Sequence, residues 1–397
     1  MKDFVLRVGS GVLAVLFMTT SAVASMVDNQ SSLTADFTRM PARTASFDSS
    51  DTAIYNPAGT AWLQDGFHVG LSVKACLKEW QHTYDGTTYE TTTPSFLALP
   101  NAVYRKGRLG MYLGTAVFGG LGIVDYDDGF VLIPGHPLDA ILKKETEFTY
   151  LVPGLTTGVS WQLSDSLAVS GGVRVLYGIQ EVEVDGGEVL DLSQDATGAA
   201  PVFGLSWKAT DRLALSLRHE MRTKMEYEID TFEGNPMLLG ALNMLNGSSK
   251  GSKMRLDFPA QTAVGVMYRL TPRWRVAADG VVAWQKDADR SGAEENMGNG
   301  YYVAAGVEYD ATPKWTLSLG YITCDPKDDL ERTGYYYVNP KLEYQTVAAG
   351  VKYRHSDTLS FSLSAAPYFY DSYTTEKGVK MEKETLDISF GVEWLII

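Results

Sequence analysis

Segment after segment of this 397-residue chain places apolar side chains at every second position. Leu167, Val169, Val173 and Val175 alternate with Ala168, Ser170 and Arg174. Leu213, Leu215 and Leu217 interleave with Ala214, Ser216 and Arg218, and Trp315, Leu317, Leu319 and Tyr321 with Thr316, Ser318 and Gly320. Near the end, Leu386, Ile388, Phe390, Val392, Trp394 and Ile396 repeat the pattern. A period of two sends each set to one face of a β-strand. Alternation by itself allows either a soluble sandwich or a barrel in a membrane.

The connections separate these two. Very short polar turns are expected around Lys106-Gly107, Ser164-Asp165, Thr210-Asp211, Thr271-Pro272, Thr312-Pro313 and Ser356-Asp357. Between the resulting pairs lie long irregular stretches at 121–147, 185–196, 230–251, 288–297, 325–340 and 372–381. Short turns on one rim and long loops on the other mark outer-membrane barrels. Counting from Phe67 gives about fourteen strands, an even number as a closed single-chain barrel requires. Trp161, Trp207, Trp274, Trp284, Tyr301, Trp315 and Tyr368 fall at strand ends, where interfacial girdles sit. The expected fold is therefore all-β, a transmembrane antiparallel barrel over residues 67–397.

Composition agrees. Hydrophobic residues make up 45% of the chain, with 22 Tyr and 8 Trp, yet the mean hydropathy is −0.10. No window after the N-terminus approaches the ~18 consecutive apolar residues of a membrane helix. The N-terminus reads as a Sec signal peptide over residues 1–24: Lys2 and Arg7, an apolar run from Gly11 to Met18, then Ala22-Val23-Ala24. At the other end, Ser389–Ile396 is similar to the C-terminal signal that barrel-assembly machinery reads, although Ile397 replaces the usual aromatic residue. The net charge of −14 argues against a nucleic-acid partner.

Residues 25–66 break the alternation, being small, polar and rich in Thr, Ser, Ala and Asp. Within them, Pro57 fixes its own φ and pushes Asn56 out of the α region, and Gly59 permits backbone angles other residues avoid. Such a kinked turn could hold a plug together, or be a surface turn before the first strand. The phrase Asn56-Pro57-Ala58-Gly59, preceded by Ala45–Tyr55, closely resembles the N-terminal hatch of the FadL/TodX family of outer-membrane transporters. Leu99–Tyr104, Phe118-Gly119, Leu256–Pro259, Val264–Thr271, Trp274, Trp284 and Leu319–Tyr321 are similar to that family's later strands, in order. The resemblance implies a hatch over 25–66 inside the lumen. It also implies passive uptake of long-chain fatty acids or aromatic hydrocarbons.

Three groups of candidate site residues follow. Asn235–Asn246 reads as a short loop helix, with Pro near its start and Asn-Gly at its end. Met237, Leu238, Leu242 and Leu245 are placed on one face, as an exposed hydrophobic capture surface or as packing against neighbouring loops. Phe130 and Leu132 form a second candidate surface. The family places its capture groove on such loops. Inside the lumen, Arg174, Arg218 and Arg275 could take a substrate carboxylate, or simply pair with other wall or plug charges. The third strand is rich in glycine, which marks a bulge, a kink or a close approach. The family releases substrate sideways at a third-strand kink, so Gly114, Gly119 and Gly120 are the candidates for a lateral exit.

Catalysis has little support: five histidines are scattered and no Gly-x-Ser-x-Gly or HExxH motif occurs. No cofactor or metal is expected; Asp125–Gly129 lacks the spacing of a calcium loop. Cys76 and Cys324 read as unpaired thiols. The expected partners are a small hydrophobic ligand, outer-membrane lipid and lipopolysaccharide, and the assembly machinery, with the chain acting as a monomer. The alternative is a general or weakly selective porin for hydrophilic solutes.

Overall fold

The computed structural model describes residues 33–129, 143–329, 331 and 339–397. Phe130 and Leu132, the Leu245 side chain and the 1–24 segment lie outside the described residues. Fourteen antiparallel strands close on themselves. The first seven are β1 (Gly66–Tyr84), β2 (Thr87–Thr91 and Ser95–Lys106), β3 (Leu109–Tyr126), β4 (Thr146–Gln162), β5 (Leu167–Val184), β6 (Leu190–Lys208) and β7 (Leu213–Glu220 and Glu226–Gly234). The second seven are β8 (Lys253–Arg255 and Ala260–Arg269), β9 (Trp274–Trp284), β10 (Tyr301–Asp310), β11 (Trp315–Asp325), β12 (Tyr344–Arg354), β13 (Leu359–Tyr370 and Tyr373–Thr374) and β14 (Lys380–Ile396). β1 zips to β14 from Phe67↔Ile396 to Thr83↔Lys380, so the sheet has no free edge there.

Each expected turn is present, and its chemistry is visible. Ser164, Thr210, Thr271, Thr312 and Ser356 each accept the backbone N–H three residues on, at 3.0–3.1 Å. A hydroxyl that satisfies a turn donor lets a hairpin close in a few residues. The sixth turn uses Gly107 at φ 60°, whose N–H donates to Asp65 at 3.2 Å. One loop is shorter than expected: the stretch 185–196 is mostly strand, because Leu190 and Leu192 continue the inward apolar phase of β6.

The alternation becomes two surfaces. On β14, Leu386, Ile388, Phe390 and Trp394 face outward and are exposed, whereas Lys383, Thr385, Asp387 and Ser389 are buried inside. Leu71, Val73 and Leu77 of β1 join the outer apolar belt, the surface that lipid would cover. Among the described residues no helix is long and apolar enough to cross a membrane. Toward the loop rim the interior turns apolar: Trp80, Tyr89, Tyr126, Phe148, Tyr150 and Tyr227 belong to one buried cluster.

Candidate functional site

Residues 33–63 lie inside the barrel. They form a helical turn α1 (Ala35–Arg39), a second, α2 (Thr52–Tyr55), and a 3-10 stretch from Pro57 to Trp62. Thr34 caps α1 by accepting Phe37 N–H at 3.2 Å. Asn56 sits where the sequence motif placed a kink. Its Oδ1 accepts Ala58 N–H at 3.2 Å, and its Nδ2 donates to Leu205 O and Ser206 Oγ of β6 at 3.1 and 3.2 Å. Pro57, Ala58 and Gly59 are buried around it. The motif is thus a joint that stitches the internal segment to the wall, rather than a surface turn.

Charge fixes the rest of the segment. Arg39 pairs with Asp36 at 2.6 Å and with Glu308 of β10. Arg43 pairs with Asp48 at 2.8 Å and Asp51 at 2.7 Å. Thr44 donates through both N–H and hydroxyl to Asp279 of β9, each at 2.7 Å, and Ser50 does the same to Glu393 of β14 at 2.8 and 2.7 Å. The Asp48 carboxyl is held well below the usual range. Burial pushes it up, but Arg43, Arg275, Lys352 and Arg39 outweigh that. Asp36 is lowered likewise, against burial, by Lys352, Arg39 and Arg43.

The wall makes room by omitting side chains. A Cβ on Gly306 would come within 2.9 Å of Met40, and one on Gly320, Gly350 or Gly204 would collide with Pro41, Arg39 or Asn56. Gly114 belongs to this set. A Cβ there would meet Ile54 at 2.7 Å and Ala53 at 3.2 Å. Its role is close approach, not the strand kink expected of it.

The three arginines singled out from the sequence are all engaged. Arg275 bridges Asp48 (2.6 Å) and Glu308. Arg218 donates to Ile54 O and to Gln261 at 2.7 Å. Arg174 pairs with Glu220, donates to Thr223 at 2.8 Å, and lies 4.8 and 5.6 Å from the rings of Phe258 and Phe118. Each belongs to the structural charge network, the blander of its two sequence readings.

The wall itself is interrupted at β3. Among the described residues, the β2–β3 ladder runs from Lys106↔Leu109 only to Asn101↔Gly114. On its other side β3 slips register against β4 twice, between Val117 and Gly119 and between Gly120 and Gly122, which leaves Phe118 and Leu121 bulged. Gly120 (φ 120°) and Gly122 (φ 75°) take angles that favour glycine. Two bulges bend and twist a strand strongly, and Pro153 of β4, opposite Val117, has no N–H to offer. Gly119 and Gly120 therefore sit beside the two register slips.

Side chains bridge the seam instead. Thr115 N–H donates to Asn101 Oδ1 (3.1 Å) and its hydroxyl to Pro100 O (2.7 Å). Asp125 N–H donates to Thr91 Oγ1 (3.2 Å), and Lys78 Nζ reaches Ile123 O (2.8 Å). Sequence reading missed Lys78, Asn101 and Thr115. The available signal was phase: Lys74 and Lys78 share the inward face of β1 with Ser72, Cys76 and Trp80.

At the loop rim, α3 (Pro236–Asn246) is capped by Asn235, whose side chain accepts Met237 and Leu238 N–H. Its apolar residues do not share one face. Leu238 and Leu242 are buried in the interior cluster, while Met237 and Met244 are 68% and 77% exposed. Residues four apart share a stripe and adjacent ones do not, so Met237 leaves the face to which the sequence reading assigned it.

A closed fourteen-strand antiparallel barrel, apolar outside, defines the class: a transmembrane β-barrel, here with residues 34–56 bonded to its inner wall through Arg39, Thr44, Ser50 and Asn56. No protein-family model and no curated protein matches the sequence. Solved structures do match the fold. A FadL homologue of Pseudomonas aeruginosa aligns at a TM-score of 0.68 and 14% identity, over 91% of this chain and 98% of that one. The Pseudomonas putida toluene transporter TodX gives 0.69 and 14%, over 94% and 100%. The Ralstonia pickettii toluene transporter TbuX gives 0.65 and 15%, over 93% and 100%. These neighbours are transporters or channels, not enzymes.

Proposed function

We propose that this chain is a bacterial outer-membrane transporter of small hydrophobic molecules. They enter at the loop rim and leave sideways, between β2 and β3, into the bilayer. Residues 1–24 are its export signal, 25–66 its hatch and 67–397 the barrel. The observation that carries the reading is a contrast. The lumen is filled by a segment locked through ion pairs, while in the adjoining wall Ser95–Pro100 pairs with β1 and has no backbone ladder to β3 among the described residues. A lipid-like cargo gains nothing from an aqueous exit and loses nothing by meeting acyl chains directly. A porin for hydrophilic solutes fits the filled lumen poorly. The fold shared with the FadL homologue and the two toluene transporters supports the same kind of cargo.

Stapling the seam tests this. A Cβ built on Gly122 lies 3.4 Å from Ser95 Cβ, near the separation a disulfide needs. In a C76S/C324S background, the S95C/G122C pair should block uptake of a labelled hydrophobic compound when oxidised and restore it on reduction. Uptake indifferent to the oxidised staple would rule out the lateral route.

A further inference from the structure

Lys78 has a place in the seam that packing does not explain. It projects inward from β1 and is 5% exposed. Beside it β2 is interrupted at residues 92–94, between the register pairs Trp80↔Thr91 and Cys76↔Ser95. Its side chain crosses that interruption on the lumen side, and its ammonium donates to Ile123 O at 2.8 Å. Ile123 directly follows Gly122, the second bulge glycine, which itself packs on Ser95. One ammonium therefore ties the bulged part of β3 to β1 where no ladder does.

The surroundings say what could untie it. The Trp80 ring lies 5.2 Å from Lys78 Nζ and 4.2 Å from Nζ of Lys383, its register partner on β14. Lys383 donates to Asn339 Oδ1 at 2.8 Å and Pro340 O at 3.2 Å. Two ammonium groups thus flank one indole, and each donates to a neutral carbonyl oxygen, Lys78 to Ile123 O and Lys383 to Asn339 Oδ1. Trp80 belongs to the same buried apolar cluster as Val124, Tyr89 and Tyr126. A carboxylate is a stronger acceptor than a carbonyl, the more so where water is scarce. We propose that Lys78 is the latch of the β2–β3 seam and that a hydrophobic monocarboxylate releases it. The acid's headgroup would replace the Ile123 carbonyl on the ammonium while its tail lies against the Trp80 cluster. A neutral hydrocarbon offers the latch nothing to exchange.

This inference rests on the lateral-release reading, and its test keeps the two apart. Uptake of a labelled long-chain carboxylate and of the alcohol of equal chain length is measured in parallel, for wild type, K78M and K78Q. Assembly of each variant is checked by heat-dependent gel mobility. Losing a charge-assisted hydrogen bond should lower the carboxylate-to-alcohol ratio about tenfold in K78M. K78Q can still donate to Ile123 O but carries no charge, and should show the same fall. It serves as the test should K78M not assemble. An unchanged ratio in an assembled variant overturns the latch. Wild-type protein that carries neither compound would instead sink the transport reading.

Discussion

Arg174 shows how a charged side chain is tolerated in the barrel interior: Glu220 neutralises it, Thr223 and Met221 accept from its Nη2, and two aromatic faces cover it. That is the requirement for burying an ion at all. The same logic applies to Asp36 and Asp48, and it has a pH consequence. Their folded carboxyls are depressed, so the stabilisation they give is present above the ordinary carboxylate pKa and is lost as pH falls. The internal segment should therefore loosen as pH drops below about 4. In planar bilayers this predicts a quiet protein at neutral pH and a steady leak after acidification. Because the loss starts near pH 4 and grows toward the depressed folded values, equal conductance at pH 7 and at about pH 2 would refute it.

Among the elements, α3 carries the clearest division of labour. Leu238 and Leu242 close the interior cluster, whereas Met237 and Met244 are turned to solvent, where adaptable thioether side chains suit varied ligands. M237S/M244S should raise the half-saturating concentration for uptake about tenfold. Its resistance to unfolding should match wild type. An unaltered concentration dependence would remove α3 from cargo capture. The turns, the inward and outward strand phases and the Asn56 joint were legible in the sequence because each depends on neighbours a few residues apart. Ser164 reaching Leu167 is one such contact. What the arginines bind was not legible: Arg275 meets Asp48 and Glu308 only because the barrel closes around a folded segment. Nor was the role of Gly114, which is set by the approach of Ile54 from a distant part of the chain.

For the whole molecule, the proposed hatch makes a prediction about conductance. Removing residues 25–65 should convert a barrel that is silent in single-channel recordings into one with a steady open state. A full-length protein that already conducts, and conducts the same after deletion, would argue for a porin. Charge and apolar surface inside the barrel are divided by height, with ion pairs around residues 36–51 and aromatic side chains toward the loops.

The ring is fastened by its first strand meeting its last, from Phe67↔Ile396 onward, and the segment it encloses lies just before that first strand. Gly204, Gly306, Gly320 and Gly350 leave no slack around Asn56, Met40, Pro41 and Arg39. A side chain added at any of those four wall positions would therefore be felt far away in sequence, as a stopper that no longer seats in the cask it belongs to.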